Sequence, residues 1–189
     1  MFEVKGATFE TNGKQILAPI EHTFHEGKVY GLIGHNGSGK STMINVVSGH
    51  YVATAGRIEF AGRNLVGMEA HRVAQLGISR TYQIPRPFAQ LSVLDNVTLS
   101  AMFGHAGLGR AAAEAQAQRC MAFTGLQFKA GVLPDELNLH QRKFLEFARA
   151  LAARPSLVFL DEVLSGLTPS EIDEAIRMIR AIRDQGTTI

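Results

Sequence analysis

Eight residues, Gly34-His35-Asn36-Gly37-Ser38-Gly39-Lys40-Ser41, constrain this chain more than any others. They match the spacing G-x-x-x-x-G-K-S, with the apolar "KVYGLI" before them and "TMINVV" after. That order predicts a buried strand running into a glycine-rich loop, then a helix that Gly49 closes. Glycines lack a Cβ, so backbone N–H groups in such a loop can wrap phosphate oxygens closely. Lys40 then reaches the outer phosphates and Ser41 offers its hydroxyl to Mg²⁺. The helix amino terminus, through Thr42, adds favourable partial charge.

The rest of the chain is read around that unit. "FEVKGATFE" alternates as a half-buried strand, and Asn12-Gly13 supplies a hairpin turn, so residues 2 to 26 are expected to form antiparallel strands. "RIEFAGRNLV" alternates again, "EAHRVAQLG" predicts a short helix ended by Gly77, and "ISRTYQ" another strand. From about residue 84 to 153 the pattern turns helical, as a subdomain inserted into the α/β core. "ELNLHQRKFLEFARALA" opens its last helix, with Asn138 as the expected cap. "PSLVFLDE" then fits a buried parallel strand. In the final helix Thr168 is the expected cap, Pro169 the first residue and Glu171 the capping-box partner, and Ile172, Ile176, Ile179 and Ile182 are the expected buried stripe.

Composition narrows the class. The 189 residues carry a net charge of only +2, scattered along the chain, which argues against nucleic acid as a partner. No apolar run reaches the roughly 18 residues of a membrane span, and the amino terminus lacks a secretory core, so the expectation is a cytoplasmic globular protein without a transmembrane segment. The single cysteine, Cys120, excludes an intrachain disulfide and is expected to be a small buried hydrophobe. The histidines show no zinc-ligand spacing.

Asp161 and Glu162 end the "LVFLDE" strand. Paired with a phosphate loop, the first is suited to hold Mg²⁺ and the second to polarise an attacking water.

The loop, then Gln83 in "SRTYQIPRPF", then "LNLHQRKFLEFARALAARPSLVFLDE" and "LSGLTPSE" together resemble the ATP-binding-cassette (ABC) transporter ATPases, over essentially the whole chain. From about Gly56 onward the resemblance is to ATPases of branched-chain amino acid and urea/amide importers. The first fifty residues look closer to ferric-siderophore importer ATPases. The resemblance implies a P-loop (RecA-like) core with an antiparallel β subdomain and a helical insertion. It also implies Mg-ATP hydrolysis by a head-to-tail dimer docked on permease subunits at the inner face of the membrane. Gln83 would contact Mg²⁺ or the lytic water, and Asn138, His140 and Gln141 would cap the γ-phosphate of ATP held by the second protomer. The family pattern there is Leu-Ser-Gly-Gly-Gln, from which Asn138, Leu139 and His140 depart. The adenine-stacking aromatic would fall near Thr11, with Phe9 as its substitute. Two other readings stay open: a non-transport ABC ATPase, and a nucleotide-binding fragment with little turnover. The second follows from "GTTI" at 186 to 189, read as the first half of a further strand in a C-terminally truncated chain that lacks the family's phosphate-contacting histidine.

Overall fold

The computed structural model describes residues 1–189. β1 (Phe2–Thr11) and β2 (Lys14–Phe24) form the expected hairpin, closed by Asn12 and Gly13 with φ of 51° and 71°. Both values lie in the left-handed region that a two-residue hairpin turn requires. β3 (Ala55–Phe60) pairs antiparallel with β1 on its other side, and β4 (Arg63–Asn64) adds to β3, giving the order β2-β1-β3-β4. β1 can lie against β3 only because Gly56 has no side chain: a Cβ there would sit 2.2 Å from the Gly6 carbonyl oxygen.

The second sheet is parallel, β5 (Ile78–Arg80) beside β6 (Leu157–Phe159). Thr188 extends it, its N–H donating to the Ser156 carbonyl at 2.9 Å and its carbonyl accepting from Val158 N–H at 2.9 Å. Ile189 bonds in turn to Lys28 and Tyr30. The spatial order is therefore β5, β6, residues 187–189, then residues 28–30. This corrects one expectation: "KVYGLIG" forms no regular strand. Its ladder stops at Tyr30, and with no strand beside the next residues Leu32 is half exposed and Ile33 is 94% exposed.

Between the two sheets lies a core of Phe2, Val4, Leu17, Ile58, Phe60, Ile78 and Leu157, together with Met43, Val46 and Val47 from α1 (Lys40–Val47). α2 (Ala70–Gln75) contributes Val73. Three further helices, α3 (Val93–Phe103), α4 (Arg110–Phe123) and α5 (Leu139–Ala152), make a second core around Val97, Ala117, Met121, Phe144 and Leu145. Cys120 is buried in it, as expected.

α6 (Pro169–Asp184) begins and ends where expected, with Gly186 at φ 94° beyond it. Its buried face differs. The residues most deeply buried are Ala175, Met178 and Ile182, with Ile172, Ile176 and Ile179 half-buried beside them. Ala175 and Met178 join the helical core, so the α3–α5 lobe draws the helix round from the isoleucine stripe.

Candidate functional site

The phosphate loop leads into α1 at Gly39, which caps the helix with φ 93°. A Cβ at Gly39 would be strained by that angle and would lie 3.0 Å from the Ile16 carbonyl on β2, so glycine is required twice over. The N–H groups of Gly39, Lys40, Ser41 and Thr42 find no acceptor in the chain. Ser38 N–H bonds to the His35 carbonyl at 3.1 Å, which curls the loop. Lys40 Nζ donates to the Gly34 and His35 carbonyls at 2.7 and 2.9 Å, lying along the loop it would otherwise extend across. Gly34 packs against Ser38, while His35, Asn36 and Gly37 are exposed at the loop's tip. A row of unpaired donors beside an ammonium group is suited to an anion with several oxygens.

Asp161 and Glu162 line the same cavity as Lys40, a space of about 670 Å³ walled by Phe2, Ile20, Phe24, Met43 and Ile44. Asp161 is nearly buried, its ion-pair partner being Arg80 Nη2 at 3.8 Å. Burial pushes its carboxyl above the usual carboxylate range, and Arg80 draws it back down. Glu162 Oε2 accepts from Gln83 Nε2 at 2.6 Å, which joins two sequence-predicted residues directly. The same bond leaves Gln83 Oε1 available as a ligand. Ser41, Gln83 and Asp161 thus supply only oxygen donors, a set that fits Mg²⁺. Glu162 has φ 49°, a left-handed backbone that a side chain adopts at a cost of about 1–2 kcal/mol.

Asn138, His140 and Gln141 are not part of that cavity. Asn138 Oδ1 accepts from Gln141 N–H at 2.8 Å, and Gln141 Oε1 accepts from Asn138 N–H at 3.1 Å. This reciprocal cap starts α5 as the sequence suggested. His140 is turned away, its ring nitrogens 3.8 Å from Glu171 and 3.8 Å from Glu174 on α6 and its ring 4.2 Å from Phe144. Phe9 is engaged as well, stacked at 4.9 Å on Tyr51, while Thr11 is exposed. The first turn of α6 is closed by Thr168 N–H donating to Glu171 Oε2 at 2.7 Å.

Sequence reasoning missed Arg80, Lys143 and Glu146. Arg80 also donates to Asn45 Oδ1 at 2.6 Å and Ser48 Oγ at 3.1 Å, both near the end of α1, and stacks on Tyr82. Glu146 accepts from Arg86 N–H at 3.0 Å and from Arg149 at 2.6 Å, tying the segment after Gln83 to α5. The signal for Lys143 was present: it stands next to Phe144 and four residues before Phe147, a cation among the apolar positions of an amphipathic helix. Burial lowers the Lys143 ammonium's pKa, and the nearby Glu162 carboxylate opposes that shift.

The ABC transporter family pattern matches residues 17–165, most of the chain. The chain belongs to the ABC transporter family. It is 30% identical to the high-affinity branched-chain amino acid transport ATP-binding protein BraF of Pseudomonas aeruginosa, over 98% of this chain and 78% of BraF. It is 35% identical to the probable branched-chain amino acid transport ATP-binding protein LivG of Archaeoglobus fulgidus, over 84% of this chain and 65% of LivG. The ribose import ATP-binding protein RbsA of Bacillus cereus is 30% identical over 98% of this chain, which spans only 38% of RbsA's length. Among solved structures, MJ1267, an ATP-binding cassette of an ABC transporter, superposes with a TM-score of 0.87 at 25% identity, covering all of this chain and 79% of MJ1267. As an ABC cassette, the chain has the expected α/β fold with its antiparallel sheet and helical lobe. No helix is long and apolar enough to cross a membrane.

Proposed function

We propose that this ABC cassette binds Mg-ATP at the phosphate loop and hydrolyses it in a head-to-tail dimer that powers solute import. The observation that carries this reading is the run of unpaired N–H groups from Gly39 to Thr42, in which Lys40 also lines the cavity that holds Asp161 and Glu162. The amides and Lys40 bind the phosphates, and Ser41, Gln83 and Asp161 hold the metal. Bound Mg²⁺ supplies charge neutralisation on the phosphoryl oxygens. Glu162, oriented by Gln83, accepts the proton of the attacking water.

The helical lobe, about residues 84 to 153, supports contact with permease subunits, which would hold the chain at the inner face of the membrane. A groove of about 530 Å³ runs beside it, lined by His50, Tyr82, Phe88, Phe103 and Arg149. Branched-chain amino acids or amides are the proposed solutes, on the likeness to BraF and LivG. Asn138 and Gln141 sit at an exposed helix amino terminus, the position from which a second protomer's nucleotide would be met. A nucleotide-binding cassette with little turnover is the second reading, favoured by His140 facing α6 and by Leu139, which is 55% exposed where a glycine would admit phosphate.

Fluorescent ATP-analogue binding tests the main reading. Lys40→Ala is expected to lose most of the affinity, at least tenfold, with the fold intact. Equal affinity in parent and variant would contradict the assignment of the loop.

A further inference from the structure

Four non-glycine residues have left-handed φ, and three are accounted for by chain reversals: Asn12 and Ala61 lie in hairpin turns and Arg154 follows α5. Glu162 is the fourth, and it carries the carboxylate argued to act on water. A backbone of that kind persists only where its surroundings hold it. Three contacts do so: Ser165 N–H returns to the Glu162 carbonyl at 3.0 Å, Gln83 holds the carboxylate, and Val163 is buried against Phe147 and Ile182.

The remaining support comes from α5. Lys143 is 7% exposed, and its ammonium donates to the carbonyls of Ser165 and, at 3.4 Å, Val163, the two residues that flank the turn after Glu162. Those two carbonyls are its hydrogen-bond partners, and the Glu162 carboxylate is the nearby charge that favours its ammonium form. The same helix begins at the Asn138–Gln141 cap, about one turn earlier.

We infer that Lys143 is a positioning residue, fixing the Glu162 turn to the helix whose amino terminus carries Asn138 and Gln141. This rests on the reading of Glu162 as the group that acts on water. Movement of the α5 amino terminus on meeting a second protomer's nucleotide is then passed through Lys143 to the carboxylate of its own chain.

Lys143→Met keeps the length and removes the donors; Lys143→Gln restores one donor. Turnover, ATP-analogue affinity and amide hydrogen exchange of residues 162–167 are measured on all three chains. For Lys143→Met, turnover is expected to fall at least tenfold while nucleotide affinity stays within twofold, with exchange at 162–167 faster and exchange in β1–β3 unchanged. Lys143→Gln is expected to recover part of both losses. Unchanged turnover and exchange, or turnover and affinity falling together, would overturn the inference. Should Lys143→Met not fold, the Gln variant decides: intermediate turnover and exchange support the role, and parent-like values refute it. Should the parent bind ATP without hydrolysing it, the proposed function fails on its own, and the exchange rates alone then judge whether Lys143 holds the turn.

Discussion

Gly39 shows how much one position can carry. Its left-handed φ, its approach to Ile16 and its place as the cap of α1 all follow from a missing Cβ, and all three serve the row of free N–H groups behind it. Such a residue is legible in sequence because its reasons are local. The partners of Arg80, Lys143 and His140 were not legible, since Asp161, Ser165 and Glu171 lie far along the chain and come together with them only when the sheet and α6 are in place. Cys120 falls between these cases: its burial followed from its apolar neighbours, and its chemistry follows from that burial. The thiol is pushed up to about 11 by desolvation, with Arg119 opposing. At pH 8 its thiolate population is then about a hundredfold below that of an ordinary cysteine. Alkylation by iodoacetamide is expected to be slower in the folded chain by at least that factor than in urea. Equal rates would mean the α4 face is open.

At the scale of elements, α5 depends on its first turn. Asn138 and Gln141 satisfy each other's neighbouring N–H groups, so Asn138→Ala is expected to destabilise the chain by about 1 kcal/mol, and Asn138→Ser by much less. Denaturant unfolding checks this, and an alanine variant as stable as the parent would show the cap to be idle. Helix ends were the best-read feature of the sequence, because caps and stops such as Asn138, Pro169 and Gly186 act over three or four residues. Strands were read less well. Residues 28 to 34 look like a buried strand by composition, yet strand pairing is a property of neighbours, and here the pairing reaches only Tyr30. The face of α6 was misjudged for the same reason: periodicity chose a stripe, and the helical lobe selected Ala175 and Met178 beside it.

Across the whole molecule, the apolar residues gather in two large cores. Arg80 joins Asp161 to α1 and Tyr82, and Glu146 with Arg149 holds residues 86–88 against α5, so the segment after Gln83 is gripped from both sides. The phosphate loop with Asp161 and Glu162 occupies one part of the chain, and the Asn138–Gln141 amino terminus another, with no shared cavity. On the proposed head-to-tail arrangement, that separation means that a complete site needs two chains. ATP turnover per chain, measured at saturating Mg-ATP over a hundredfold range of protein concentration, tests it directly. Turnover per chain is expected to rise with concentration and then level off as the dimer fills. Turnover that is constant across the whole range and persists at the lowest concentration, with the chain monomeric there, would contradict the claim.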